Sequence, residues 1–427
     1  MCMQRMAFFI ALSGIATAVV PGAQTPPQVR VFVGARLVDG TGAAPVDRAV
    51  LVVSGDKVLS VATMSEPGTI PSDAERIDVR GKTIMPGFVN AHGHVGDTSG
   101  LEAGPQFYTR ENLHRQLALY GRYGVTTIFS LGGDGPLGAA LRKEPPAGRA
   151  RLFIAGPVIT ASTAQGAAAE VEKIAAMGVD WLKFRVDDNL GSSPKMSKAA
   201  WKTVIDVGHA KQLPVAAHLF YLDDAKDLLR EGIDLIAHSV RDKPVDDEFI
   251  ALAKSREICV VPTLTREIST FVYESTPAWF TDEFFLRHAD AKVLEQLKAP
   301  GRQERMRKSE SARKYKVALG VATENVKKMS AGGVRIAMGT DTGPPARFQG
   351  YFEHMELEMM VKAGLTPMQA IVAATSDAAR CMKKGDTLGV LRAGALADFV
   401  IYTDDPTQDI RATRTIESVW VGGNRIP

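Results

Sequence analysis

Eight short apolar runs leave this chain few ways to fold. They are "TIMPGFVNAH", "GVTTIFSLGG", "RLFIAGPVIT", "DWLKFRVDD", "PVAAHLF", "LIAHSV", "ICVVPTL" and "VRIAMGTDTG". Helical patterns sit between most of them, among them "ENLHRQLALYGRYG", "AAAEVEKIAAMG", "SKAAWKTVIDVGHAKQ" and "DDAKDLLREG". A strand–helix alternation repeated eight times predicts an α/β chain whose parallel strands close into a (β/α)8 TIM barrel. The competing open, doubly wound sheet calls for a Gly-rich phosphate turn after its first strand, and the sequence has none there.

Both ends of the chain read differently. Val29 to Ile84 holds β-rich runs broken by Gly and Asp, and "LGVLRAGALADFVIYTDD" and "IESVWVGGNRI" repeat that character near the end. We expect a small β-sandwich domain built from residues 25–84 and 386–427, flanking a barrel over 85–385. The first 24 residues read as an export signal: Arg5 precedes an uncharged apolar run from Met6 to Val20, with small residues after it. That run is short for a membrane span, although an uncleaved anchor or a tail is the alternative. The signal implies an exported chain, periplasmic or secreted, with no membrane attachment once it is removed. A net charge of +3, with no basic block, argues against nucleic acid as a partner and for a small-molecule or peptide ligand. Of the three cysteines, Cys2 lies in the signal. Cys259 and Cys381 are expected to be buried small hydrophobes, not a disulfide framework. The segment 265–332 is mostly helical and aromatic, and reads equally as a lid or as a solvated elaboration.

Six polar residues interrupt the apolar runs near their C-terminal ends: His92, His94, Lys183, His218, His238 and Asp341. Residues i and i+2 of a strand share a face, so His92 and His94 point together, with Gly93 keeping the backbone slim between them. Each residue alone has a bland explanation: a satisfied core histidine, a solvent-seeking lysine, a turn-capping aspartate. Six of them at the mouth of one barrel form a constellation suited to metal ions. Lysine needs a further step, since an ammonium has only donors. Burial beside cations lowers its pKa. The free amine can then take up CO2 as an anionic carbamate with two oxygens.

These motifs resemble those of the metal-dependent amidohydrolases, in the branch with imidazolonepropionase-like enzymes and prolidase-like dipeptidases. The matching stretches are "PGFVNAHGH", "GVDWLKF", the histidines His218 and His238, "GVRIAMGTDTG", "AGLTPMQAIVAATSDAAR" and "LGVLRAGALADFVIYTDDP". The resemblance implies two divalent ions, zinc by ligand type. His92, His94 and Asp341 would hold one, His218 and His238 the other, and a carbamate on Lys183 would join them beside a bridging hydroxide. It implies catalytic roles for Asp341, as general base and proton shuttle, and for Lys183 and His238. Two positions depart from the prolidase pattern. Phe220 stands where those enzymes commonly carry tyrosine, and Ala237-His238-Ser239 replaces Glu-His-Gly.

The expected reaction is hydrolysis of the C–N amide bond of a dipeptide or N-acyl amino acid. Cyclic-amide hydrolysis or deamination is the alternative, although deaminases of this group usually lack the bridging lysine. Phosphotriester or lactone hydrolysis and a metal-free binding or assembly role are further readings. Arg185, Arg241 and Arg266 could pair with a substrate carboxylate and Tyr221 with a carbonyl, or all four could be structural. Related enzymes are often multimeric, so a homo-oligomer is plausible.

Overall fold

The computed structural model describes residues 28–427. The expected export signal therefore lies outside the described residues. Eight parallel strands correspond one for one to the apolar runs. We number them β1 (Phe88–Gly93), β2 (Val125–Ser130), β3 (Arg151–Ile154), β4 (Leu182–Arg185), β5 (Val215–His218), β6 (Leu235–Ala237), β7 (Cys259–Val261) and β8 (Arg335–Ile336). Helices intervene throughout, including Arg110–Arg122 after β1, Lys198–Ala210 after β4 and Leu222–Arg230 after β5.

The strands pair as a three-stranded sheet, β1–β2–β3, and a five-stranded sheet, β4 through β8 in order. Parallel bridges join their edges: Ile159 with Phe184 beyond β3, and Gly93 with Thr342 beyond β8. Side chains alternate between two apolar layers, as a period of two requires. Val89, Phe129, Ala216, Leu235 and Val261 fill one layer. Phe88, Ile128, Val215, Ala217, Ile236 and Val260 pack in the other, with the surrounding helices. Strands covered on both faces read as near-continuous apolar runs, which is why the sequence shows them so plainly.

Strands from both chain ends share one eight-stranded sheet. Its order runs Asn424–Arg425, Ile416–Val421, Phe399–Tyr402, Thr83–Pro86, Val29–Leu37, Val46–Ser54, Lys57–Thr63, with Glu75–Asp78 also pairing with Val29–Leu37. The expected sandwich of two sheets is not what the pairing shows. Phe399–Tyr402 pairs directly with Thr83–Pro86, and this ladder makes the two ends of the chain continuous. Phe32 packs edge-on against Phe399 and Trp420, each at 5.0 Å between ring centroids.

One expectation is overturned. Cys259 and Cys381 are buried as foreseen, but they are bonded to each other across 122 residues, with Cα atoms 5.8 Å apart. The bond ties the start of β7 to the helix Ser376–Cys381. Two cysteines so far apart in sequence meet only because the strands bring the end of that helix under β7.

The segment 265–332 forms several short helices and the long helix Glu310–Ala331. Phe280, Phe284 and Phe285 pack with Tyr351 and Phe352 of the helix that follows β8. The Tyr273 hydroxyl donates to the Ala346 carbonyl at 2.6 Å, so this segment braces the loop after β8.

Candidate active site

The six polar residues converge at the C-terminal ends of the parallel strands. Lys183 lies within β4, His218 ends β5, and His238 directly follows β6. For β1 the local structure departs from simple alternation. Asn90 pairs with Ile128 and Gly93 with Ser130, so three steps along β1 face two along β2. This bulge turns Ala91 and His92 to the same side, and Gly93 then separates His92 from His94. Bulges recur beside active sites because they re-aim side chains. A Cβ at Gly93 would lie 3.1 Å from the Tyr120 hydroxyl and 3.2 Å from Asn90 Nδ2, so a slim residue is needed there.

The backbone is left-handed at two of the six, with φ of 94° at His238 and 55° at Asp341. Such conformations cost about 1–3 kcal/mol for non-glycine residues and persist only where surrounding contacts over-determine them. Here those contacts are visible. His238 N donates to the Val261 carbonyl at 2.9 Å, and Asp341 N to the His92 carbonyl at 2.6 Å. Below Asp341, buried Glu353 accepts from Asn90 Nδ2 at 2.6 Å and from the hydroxyls of Thr340 at 2.8 Å and Thr342 at 2.7 Å. That carboxylate locks β1 to the residues beyond β8.

His92, His94 and Asp341 offer ligand atoms all within 4.8 Å of one another, a group that could hold a metal ion. Asp341 Oδ1 lies 2.7 Å from His94 Nε2 and 3.7 Å from His92 Nε2. The other nitrogen of His94, Nδ1, lies 2.9 Å from the Gly132 carbonyl, which can only accept. Both nitrogens of this ring thus face acceptors. At 2.7 Å a shared proton between Nε2 and Oδ1 satisfies that arrangement. Lys183 Nζ lies 3.1 Å from His92 Nε2. The ring of His238 sits 4.7 Å from that of His92 and 4.2 Å from that of His218.

Protonation states suit cation binding. Burial, with the charge of Lys183, holds His92 well below the usual imidazole range. Burial also brings His218 down to about 3 and holds His238 well below its ordinary value. The three rings are therefore neutral, as metal ligation requires. Burial lowers the Lys183 amine to about 7. For Asp341 burial works upward, but the Arg347 guanidinium and the hydrogen bond with His94 hold its carboxyl well below the carboxylate range. His94 is raised: burial opposes its charge, and the hydrogen bond to Asp341 overcomes that opposition.

Three supporting residues escape the sequence reading. Asp187 Oδ2 accepts from His218 Nε2 at 2.7 Å, which leaves Nδ1 of that ring bare. A carboxylate behind a histidine orients it and raises its basicity as a ligand. Asp187 shares the strand parity of Lys183, so alternation carried two steps past Arg185 would have reached it. The Thr263 hydroxyl, 2.7 Å from His238 Nδ1, plays the equivalent part for His238. Arg347 donates from Nη1 to Asp341 Oδ2 at 2.5 Å, and it sits in an irregular loop that carries no sequence signal.

The four candidate substrate residues are placed differently from one another. Arg185 donates to Asp187 Oδ1 at 2.7 Å, and Tyr221 to Asp188 Oδ1 at 2.8 Å. Arg241 is enclosed, donating to the carbonyls of Leu219 and Ser239 and paired with Glu267 at 3.1 Å. Arg266 reaches the edge of the site, its Nε 3.9 Å from Asp341 Oδ2. Its guanidinium lies over the Tyr315 ring at 4.6 Å and pairs with Glu267 at 3.1 Å.

The amidohydrolase family profile matches residues 83–426. An uncharacterized protein of Mycobacterium tuberculosis is 28% identical over 338 residues, covering 77% of this chain and 81% of that one. A crystal structure of a Xaa-Pro dipeptidase with bound methionine in the active site superimposes with a TM-score of 0.76 at 20% identity, over 93% of this chain and 99% of the other. The ochratoxinase of A. niger gives 0.73 at 18% identity, over 94% and 96%. At these identities the two structures speak to the fold alone. The family profile, with the convergent residues, carries the assignment: the chain belongs to the amidohydrolase family and is an enzyme acting on carbon–nitrogen amide bonds.

Proposed function

We propose that this chain is a metal-dependent hydrolase that cleaves the amide bond of a dipeptide or N-acyl amino acid. The observation that carries the reading is the group of His92, His94 and Asp341, whose ligand atoms all lie within 4.8 Å of one another, with Lys183, His218 and His238 beside it. The paired sheet edges support a closed eight-stranded barrel over 85–385, with the terminal strands as a separate unit. His92, His94 and Asp341 would hold one divalent ion and His218 and His238 a second, zinc in both cases by donor type. A carbamate on Lys183, formed as the amine bonds CO2 and gives up a proton, would supply anionic oxygen donors beside them.

Bound ions of this kind supply a water of lowered pKa and polarise the scissile carbonyl. The chain's own residues do the rest. Asp341 takes the proton released on attack and delivers it to the departing nitrogen. His94, fixed by Gly132, and His218, fixed by Asp187, keep their ring orientations through turnover. The Cys259–Cys381 bond supports an oxidising compartment, and with it the export expected from the first 24 residues.

The test is hydrolysis of a panel of dipeptides, N-acyl amino acids and cyclic amides, with metal content measured in parallel. We expect turnover of linear amides and about two metal ions per chain. Turnover confined to cyclic amides, or protein that retains no metal under any loading, would overturn the reading.

A further inference from the structure

Two cations near the terminal strands have carboxylate partners: Lys82 lies 2.6 Å from Glu417, and Arg414 lies 2.5 Å from Asp282. Three others do not. Arg122, Arg287 and Arg425 border a single crevice of about 260 Å³. Among the described residues, none of these guanidiniums pairs with a carboxylate. Glu417 also borders the crevice, but Lys82 already holds it. A guanidinium stays charged and has only donors. Three of them around one space repel one another, and an anion between them removes that repulsion.

The crevice lies where three parts of the chain meet. Arg122 ends the helix after β1, Arg287 belongs to the segment 265–332, and Arg425 lies on the last terminal strand. Ligand sites favour such junctions. Part of the lining is apolar and rigid. Buried Tyr123 and Phe284 meet edge-on at 5.0 Å, and the Tyr123 hydroxyl donates to the Phe285 carbonyl at 3.1 Å. Arg287 lies over the Phe284 ring at 5.7 Å, and the His288 ring lies 5.2 Å from that of Tyr123. Burial, with the charges of Arg122 and Arg287, holds His288 below the ordinary imidazole range, so this ring stays neutral at the wall. Buried Ser418 accepts from Trp420 Nε1 at 3.1 Å and, among the described residues, donates to nothing. The crevice therefore offers donors and positive charge above an aromatic surface, and none of the six polar residues of the candidate active site lines it.

We propose that this crevice is a second ligand site, separate from the hydrolytic one, and that it binds a phosphate monoester with a small apolar body. Guanidiniums present planar two-donor edges that match phosphate oxygens. One carboxylate would offset only one of the three charges, whereas a phosphate monoester carries about −1.5 to −2 at pH 7. At about 260 Å³ the crevice has room beyond a bare phosphate group, and the apolar body of the ester lies against Tyr123 and Phe284. Because the three arginines come from separate parts of the chain, a bound phosphate ties the segment 265–332 to the barrel and to the terminal strands. Binding at this site does not depend on amide hydrolysis.

The experiment measures binding of phenyl phosphate, inorganic phosphate and benzoate by calorimetry, at fixed ionic strength. It uses the metal-loaded full chain as wild type, Arg287→Gln, Arg425→Gln and the double variant. Phosphate held by the metal ions would persist in all three variants, so the arginine-dependent part reports the crevice. We expect phenyl phosphate to bind wild type more tightly than either of the other two anions. Each single substitution should weaken phenyl phosphate by about 3- to 10-fold, less than a buried charged pair would, because these side chains are exposed. The double variant should lose more than either single one. Phenyl phosphate should also raise the melting temperature of wild type, and raise that of the double variant less. Metal content should be the same in all four proteins. Phenyl phosphate binding that is undetectable in wild type, unchanged in the double variant, or no tighter than that of inorganic phosphate or benzoate overturns the proposal.

Discussion

The two ends of the parallel strands solve opposite problems. At the N-terminal ends the chain is stapled and several carboxylates are paired, although Arg142 Nε is buried without a partner. Asp180 accepts from Ile154 N and Arg142, Asp234 from Val215 N and His209, and Cys259 is bonded to Cys381. At the C-terminal ends, His238, Thr263 and Asp341 are all left-handed, and His92 Nδ1, Asp134 Oδ1 and Arg266 Nε are buried without a partner. Burial pushes the Asp134 carboxyl up to about 7 beside this cluster. Size does not distinguish the ends. A cavity of about 550 Å³ opens at the N-terminal side, lined by Asp180, Trp181, Pro214, Asp234 and Lys383, yet its two carboxylates are already occupied. The cluster of imidazoles with Lys183 and Asp341, not volume, marks the reactive end.

This contrast can be broken by substitution. Replacing Asp341 with Asn should lower turnover by about 10²–10⁴-fold, the usual worth of a general base, with most metal retained and thermal stability preserved. Turnover within a few-fold of wild type would remove Asp341 from the proton path. The reverse effect belongs to the staple. Cys259→Ser with Cys381→Ser should cost about 2–5 kcal/mol of stability in denaturant melts, the upper end reflecting a long closed loop, while kcat at 25 °C stays as in wild type. Loss of activity without loss of stability would show that the two ends are coupled rather than divided. Asp187→Asn sharpens the picture on a smaller scale. It should weaken metal affinity or activity by about 10–100-fold through His218, with little change in melting temperature. An unchanged metal titration would make Asp187 a partner of Arg185 alone.

Particular residues show why some of this was readable and some was not. The eight strands are covered on both faces, so each appears as an apolar run in which an intruding His, Lys or Asp stands out. Lys183 is the clearest case, a charge inside "DWLKFRVDD" with no solvent to reach. The β1 bulge is invisible by contrast, because strict alternation from Val89 and Ala91 would turn His92 to the other face. Only the pairing with β2, three steps against two, sets its direction. Arg347 lies in a loop without period, six residues beyond Asp341, and nothing local announces its contact. The terminal strands were legible as strands, but their joining into a single sheet depends on the ladder between Phe399–Tyr402 and Thr83–Pro86.

Local pattern was enough to specify an alternating α/β chain, the identity of its strands and the six polar residues at their ends, because hydrophobic period and the breaks in it are written residue by residue. Tertiary structure alone settled which nitrogen of each imidazole faces inward, that Cys259 meets Cys381, and that Arg347 lies on Asp341. Those are contacts between segments up to about 250 residues apart, such as His94 with Asp341. Their geometry follows from how strands are registered and helices packed, and no window of neighbouring residues contains that information.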